Sequence, residues 1–417
     1  MAARTKEVDG KLFVEDAAEG WLEVKYGLPP EVAFCSACVV SNQRATPSVV
    51  IQDRRDSKKT TIPFADGVCQ ACDVVGQKEQ TDWEARERRL VELLDKHRSR
   101  NGSYDCVVPG SGGKDSVFQA HILKSKYCMN PLTVTWAPHL YTEVGWRNFT
   151  NWIHTGGFDN FLLTPDGQVH RKLTELAYRS LLHPFQPFIF GQRHFAMRIA
   201  RQLGLKLIFY GESHVEYGGR AGEEESAALH PRYYTGDAAG EIYVSGLPID
   251  ELRRHGITRQ KLVQYLPLTE EECRAAGIEV YYLGHFLKWV PQQNYYYAVE
   301  HAGFEANTER TEGTYSKYNS IDDKLDGFHY WCGHVKFGIG RCTHEAGQEI
   351  RHGHITREEG VALVRKYDGE FPERYFPEVL DYMGMERAEF LEIADSFRSP
   401  HLWRKTGNGW QLRHVVS

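Results

Sequence analysis

From Tyr104 onward the chain alternates short apolar runs with stretches whose apolar residues recur at helical spacing, the pattern of parallel strands joined by crossover helices. The apolar runs predict strands over Tyr104–Pro109, Leu132–Trp136, Asn160–Leu163 and Lys206–Tyr210. Helices are predicted between them over Lys114–Lys126, Gly145–His154, Val169–Leu182 and Gln192–Leu203. The expected fold class is therefore α/β, with a doubly wound, mostly parallel sheet. Upstream, Thr81–Arg98 carries Trp83, Leu90, Val91 and Leu94 among dense charge, which suits an amphipathic helix that either links two units or packs on the core. Downstream, Thr269 with Glu272 and Thr356 with Glu359 form capping-box patterns in a part expected to be mostly helical. The stretch Gly218–Ala228 reads as a mobile loop or insertion. These signals divide the 417 residues into an N-terminal unit with its linker helix (1–100), an α/β domain (101–260) and a C-terminal, mostly helical substrate or partner region (261–417).

The sharpest local feature is Ser111-Gly112-Gly113-Lys114-Asp115-Ser116, directly after the predicted strand YDCVVP and directly before a predicted helix. Successive glycines allow positive φ and close approach of backbone amides, and the helix start presents unpaired N–H groups and its positive dipole end. Such a loop is built to hold an anion. Its spacing is not GxxxxGK[ST], so γ-phosphoryl transfer is not implied. It resembles instead the PP-loop of the ATP pyrophosphatases, which cleave ATP between the α- and β-phosphates. That resemblance implies ATP and Mg²⁺ as cofactors. The Ser111 and Ser116 hydroxyls and the Gly112 and Gly113 amides would hold the departing pyrophosphate, Asp115 would lie near Mg²⁺, and Lys114 and Asp115 are the loop's candidates for the chemistry. The competing reading is a plain glycine turn that caps a helix.

Cysteine usage adds a second candidate. Of nine cysteines, Cys35 and Cys38 form one CxxC pair and Cys69 and Cys72 another, with thirty residues between the pairs. The spacing matches a Cys₄ tetrahedral zinc site, structural because four thiolates leave no open coordination position. Two redox dithiols or an iron–sulfur cluster would use the same residues. The remaining five, Cys106, Cys128, Cys273, Cys332 and Cys342, read as core or helix-face thiols. A composition of 41% apolar and 25% charged residues is that of a globular protein, and no run of about 18 apolar residues or signal peptide is present, so a cytoplasmic enzyme without a membrane span is expected. The net charge of −6 provides no basic field for a nucleic-acid partner.

With loop and cysteine pairs in place, further stretches carry a closer resemblance: VTWAPHLYTEVGWRNF, HPFQPFIFGQRHFA, FYGESHVEYG, FEANTERTEGTYSKYNSIDDKLDGFHYW, KFGIGR and ITREEGVALVRKYDGEFPERYF. From the first CxxC nearly to the C-terminus the chain resembles the N-acetyl sugar amidotransferase family of bacterial surface-polysaccharide and flagellin-sugar pathways. The resemblance implies conversion of an acetamido group on a nucleotide-activated sugar into an acetamidino group through an adenylated amide. It also implies ammonia supplied by a separate glutaminase subunit and a cyclase-like subunit similar to those of histidine biosynthesis. The chain fits that dependence, since it has no Gly-x-Cys-x-Gly elbow and no cysteine at position 2.

Other candidates are less sharp. Glu212 follows the strand LKLIFYG, at the strand end where open sheets place ligands, and either binds Mg²⁺, orients substrate or is a solvated carboxylate. Glu143 has the same standing, and His139 either stacks on adenine or caps a helix. Between Asn307 and Asp323, the residues Arg310, Thr311, Glu312, Thr314, Tyr315, Ser316 and Lys317 make a polar run without helical period, suited to hydrogen bonding with a sugar and its phosphates. Lys336 and Arg341 are cations for pyrophosphate or simple surface charge. Tyr281, Tyr282 and Tyr295 to Tyr297 concentrate the 12% aromatic content in one region, read as core or interface. Two rivals remain: a PP-loop enzyme that modifies tRNA, which predicts a basic face, and a zinc-ribbon interaction module on an inactive nucleotide fold, which predicts no ATP binding.

Overall fold

The computed structural model describes residues 4–46, 54–55, 57–212, 226–236 and 242–417. An antiparallel meander of β1 (Thr5–Val8), β2 (Lys11–Asp16) and β3 (Gly20–Val24) comes first. The cysteine unit follows with the hairpin β4 (Phe64–Ala65) and β5 (Val68–Cys69) and helix α1 (Gln70–Lys78), and α2 (Trp83–His97) leads onward. The α/β unit then runs β6 (Cys106–Pro109), α3 (Lys114–Ser125), β7 (Pro131–Trp136), α4 (Glu143–His154), β8 (Asn160–Leu163), α5 (Gly167–Leu181), α6 (Gln186–Leu203) and β9 (Leu207–Tyr210). Short elements come next: β10 (Thr235–Gly236), β11 (Tyr243–Val244), β12 (Leu247–Pro248), α7 (Ile249–Leu252), β13 (Leu268–Thr269) and α8 (Glu270–Ala275). Strand β14 (Glu279–Tyr282) precedes α9 (Leu283–Phe286), α10 (Pro291–Ala302), α11 (Asp326–Phe337), α12 (Arg341–Arg351), α13 (Arg357–Tyr367), α14 (Phe376–Met383) and α15 (Arg387–Ser396), and the hairpin of β15 (Trp403–Thr406) and β16 (Gly409–Leu412) follows.

Five strands form one parallel sheet in the order β14-β9-β6-β7-β8. It is doubly wound, as its side chains show. Val107 and Ile208 face one core with α5 and α6, while their neighbours Cys106, Val108, Leu207 and Phe209 face the other with α3 and α4. Burial on both faces is why the central strands read as continuous apolar runs. All four strands and four helices expected from the sequence are present, and α6 begins six residues earlier than expected, at Gln186. Both capping boxes form, at α8 and α13.

Three features differ from the expectation. β14 lies beyond residue 260, so the sheet crosses the expected boundary between the α/β and helical parts; its alternation buries Val280 and Tyr282 and turns part of the aromatic-rich region into a strand. The first hundred residues contain a meander whose strand β1 is exposed throughout and so lacks any apolar signal. The C-terminal region ends in the hairpin β15–β16, where Leu402 and Trp403 pack on Val14, Val24 and Leu28 and bring the two ends of the chain together. Of the loop expected over Gly218–Ala228, residues 218–225 lie outside those described; past them, the Tyr282 N–H donates to the Ala227 carbonyl at 3.0 Å, beside the outer edge of β14. Among the described residues no helix is long and apolar enough to cross a membrane.

Helix α2 packs on the core. Leu90 and Leu94 are fully buried in the cluster that holds Cys106, Val108 and Leu207, and Arg86 Nη1 donates to the His285 carbonyl at 2.8 Å. Leu94→Ala is therefore expected to cost about 2–5 kcal/mol of unfolding free energy in a urea titration. A change near zero would show that α2 does not dock on the sheet.

Candidate functional site

Strand order reverses between β6 and β9, and the crevice outside their carboxyl ends is where a doubly wound sheet takes a ligand. The loop from Ser111 to Ser116 leaves β6 there and starts α3, whose N-cap is Gly113. Gly112 has φ +85°, and a Cβ on it would lie 2.8 Å from the Asn148 carbonyl oxygen and the Phe149 Cα, so only glycine fits. The amides at the start of this 12-residue helix face a cavity of about 280 Å³ lined by Ser111, Gly113, Lys114, Asp115 and Ser116. Its far wall is Gly211 and Glu212 from the end of β9, with Tyr318, Ser320 and Asp322 above. Backbone amides at a helix start that line a cavity are the arrangement that meets an anion.

Side chains in the cradle are held. Lys114 pairs with Asp115, whose other oxygen accepts from Asn294 Nδ2 at 3.0 Å. Ser116 Oγ donates to the Gly113 carbonyl at 2.8 Å, fixing the turn. Glu212 Oε1 accepts from Gln348 Nε2 at 3.2 Å. The Ser111 hydroxyl bonds to Asp322, whose carboxyl burial pushes upward.

A second cavity, about 420 Å³, adjoins the first; Lys114, Asp115 and Ser320 line both. Its other walls come from Arg44 to Thr46 of the cysteine unit and from α11 and α12, through His329, Lys336, His344, Glu345 and Gln348. At the junction Ser320 has φ +44°, a left-handed conformation costly for a serine. Arg341 holds it there: Nη2 donates to the Asn319 carbonyl and, at 3.1 Å, to the Ser320 carbonyl, while Nε pairs with Glu345 Oε1 at 3.1 Å.

The four paired cysteines converge. All four Sγ atoms lie within 4.8 Å of one another, with Cys35 to Cys72 at 4.0 Å and Cys38 to Cys69 at 3.7 Å. Zinc–sulfur bonds of about 2.3 Å would set tetrahedral sulfurs about 3.8 Å apart, so the set fits zinc. The near contacts run between the CxxC pairs, as one four-ligand site requires and two separate dithiols do not. The Cys38 and Cys69 N–H groups donate to Cys35 Sγ at 3.4 and 3.3 Å, and Arg357 Nε donates to the Cys38 carbonyl at 3.1 Å. Among the described residues these cysteines are the one group of three or more His, Cys, Asp or Glu side chains that closes on a common point.

Residues 312–416 match the C-terminal domain of WbpG-like LPS biosynthesis proteins. That stretch, about a quarter of the chain, is similar to this domain of lipopolysaccharide-biosynthesis proteins and contains Ser320, Asp322, Lys336, Arg341 and Glu345. The chain is also 38% identical over 53 residues, 13% of its length, to an uncharacterized protein of Methanocaldococcus jannaschii, and the match spans 19% of that relative.

The other expected site residues are distributed differently. Lys336 lines the second cavity, not the cradle, and donates to the Leu181 carbonyl at 2.7 Å. Arg341 is enclosed at 2% exposure and lines neither cavity; it positions the Ser320 turn. His139 cannot stack on adenine, because its fully buried side chain pairs with Asp323 at 2.8 Å and stacks on His170 at 4.5 Å. Glu143 is an exposed first-turn residue of α4 that lines neither cavity. Arg310 makes a two-pronged pair with Glu370 at 2.6 and 2.8 Å, and Glu312 accepts from the Arg374 N–H at 2.8 Å. Thr314 donates to Glu345, the Tyr315 hydroxyl is buried, and exposed Lys317 donates to the Thr308 carbonyl at 2.7 Å. The polar run thus braces the turn, and the residues just after it, Tyr318, Ser320 and Asp322, reach the cradle. Sequence reading passed over these three, although the paired carboxylates of SIDD were a signal: Asp323 turns inward to His139 and Asp322 turns to Ser111.

Gly112→Ala should weaken inorganic pyrophosphate binding at least tenfold, about 1.4 kcal/mol, by calorimetric titration. Unchanged affinity would mean that the loop does not hold the anion. Cys38→Ser should lower both the zinc content of purified protein and its unfolding midpoint; full zinc retention would remove the Cys₄ assignment.

Proposed function

We propose that the protein is an ATP-dependent amidotransferase that converts an acetamido group of an activated sugar to an acetamidino group in surface-polysaccharide biosynthesis. The observation that carries this reading is that Lys114 and Asp115 of one glycine loop line two adjoining cavities, which this reading assigns to a nucleotide and an acceptor. The WbpG-like match of the second cavity's wall supports the pathway, and the resemblance at the loop supports cleavage of ATP between its α- and β-phosphates.

In this reading the amide oxygen attacks the α-phosphorus, forming a C–O–P linkage as the bond to the β-phosphate breaks. Pyrophosphate departs into the cradle, where the Gly112 and Gly113 amides, Ser111, Ser116 and Lys114 take its charge. Ammonia adds to the imidoyl carbon, the C–O bond breaks, and AMP leaves with the oxygen. Asp115 is the residue to hold Mg²⁺ beside the phosphates, with Glu212 across the crevice; a site completed by substrate phosphates is how Mg²⁺ is usually bound. Ammonia comes from a glutaminase subunit through a cyclase-like partner.

Incubation with Mg-ATP, an ammonium salt and a panel of acetamido sugar nucleotides should release AMP and pyrophosphate and lower the sugar mass by about 1 Da, as O is replaced by NH. AMP release with tRNA and with no sugar would replace this reading with RNA modification.

A further inference from the structure

The hydroxyl hydrogens of the first cavity are already committed. A serine has one hydrogen to donate. Ser116 Oγ gives its own to the Gly113 carbonyl at 2.8 Å, and Ser111 gives its own to the Asp322 carboxylate. Ser116 can exchange a neutral carbonyl for an anion with little loss. Ser111 cannot do so as readily, because a bond to an ionised carboxylate is about twice as strong as one between neutral groups. Asp322 also meets an incoming anion as a like charge, since it lines the same cavity. Nor can it withdraw. Its carbonyl accepts from the Thr142 N–H at 3.1 Å, the Thr142 hydroxyl donates to the Ile321 carbonyl, and a Cβ on Gly145 would lie 2.5 Å from its Cα.

Among the described residues no lysine, arginine or histidine forms an ion pair with Asp322. Burial is the largest influence on its carboxyl and pushes it upward, and Asp323 pushes the same way. Arg341 favours the charged form from a distance, but its Nε is paired with Glu345. The other groups around it are engaged or acidic. Asp323 pairs with His139, Asp326 is pushed up to about 8 by burial, and burial also raises Tyr141. On the loop side Lys114 pairs with Asp115, on α4 Arg147 pairs with Glu305 at 3.0 Å while Glu143 is exposed, and across the cavity stand Glu212 and Tyr318, the latter bonded to Glu349 at 3.3 Å. An anion placed beside such a carboxylate disfavours its charged form, as when two carboxylates share one site.

We propose that Asp322 is the proton-carrying residue of the anion site: as a phosphoryl anion enters, the Asp322 carboxylate takes one proton from solvent, turns it toward Ser111 Oγ, and frees the Ser111 hydrogen to bond the anion. One O–H bond forms on the carboxyl, and it breaks again when the anion leaves. Asp322 is thus a positioning residue that acts through Ser111. The proposal rests on the reading of the loop as an anion site, and not on which nucleotide or acceptor is used.

The test is calorimetric titration of the full chain with inorganic pyrophosphate in magnesium-free solution, from about pH 6 to about pH 9, in pairs of buffers whose ionisation heats differ, so that the heat reports protons taken up. Wild type should take up more protons per pyrophosphate than Asp322→Asn, by up to about one where Asp322 is ionised in the free chain and protonated in the complex. Over that interval its affinity should fall with rising pH more steeply than the variant's, by about tenfold per pH unit, because the complex holds a proton that the free chain does not. Asp322→Asn should still bind, since its amide donates to Ser111 Oγ as the protonated carboxyl does. Equal proton counts and parallel pH profiles in the two proteins would overturn the proposal and leave the loop an anion site. Absence of pyrophosphate binding by wild type at every pH would overturn both. Should Asp322→Asn not fold, sulfate, which exchanges no proton of its own in this range, replaces the variant: its binding to wild type must weaken as pH rises, and a flat profile overturns the proposal.

Discussion

One buried guanidinium sets the geometry on which both cavities depend. Arg341 is held by Glu345, and Glu345 is held in turn by Thr314. From that anchor Arg341 reaches the carbonyls of Asn319 and Ser320. A left-handed serine persists only where surroundings over-determine it, and a charge-assisted pair of bonds from an enclosed arginine does this. With the turn fixed, Asp322 meets Ser111, and the segment after it closes over the sheet. The same turn separates the two cavities, so a single constraint makes them neighbours and keeps them distinct.

The cysteine unit has a related role. Its four sulfurs lie at the separations a tetrahedral metal would set, and a metal bound there would fix a small unit with little core of its own. That unit presents Arg44 to the second cavity and packs Val39 against Cys342 and Ala346 of α12. A metal bound by these cysteines would therefore steady one wall of the second cavity. Arg357, bonded to the carbonyls of Cys35 and Cys38, ties the same unit to α13.

How much of this was legible in the sequence follows the physics of each signal. Strands β6, β7 and β9 are buried on both faces and announce themselves as apolar runs; β14 alternates at the sheet edge and does not. The loop at Gly112 was legible because only glycine tolerates its φ and its contact with Asn148. The choice between Asp322 and Asp323 was not, because it depends on where His139 lies after folding, 184 residues away in sequence. Arg310 and Glu312 looked like ligand-binding groups for the same reason. Their partners, Glu370 and Arg374, come from a distant segment, and a polar side chain's partner is set by tertiary structure rather than by its neighbours.

Lys336 shows what such a displacement can mean. As a cation near a phosphate loop it was expected to serve pyrophosphate, yet α11 carries it to the opposite side of the Ser320 turn, where it donates to the neutral Leu181 carbonyl and lies over the Phe337 ring. A lysine held that deep is destabilising while it stays charged, and nothing about packing requires an ammonium there, since a methionine would fill similar space. Lys114, by contrast, stays at the loop and is already paired to Asp115, beside the amides of the helix start that can meet an anion.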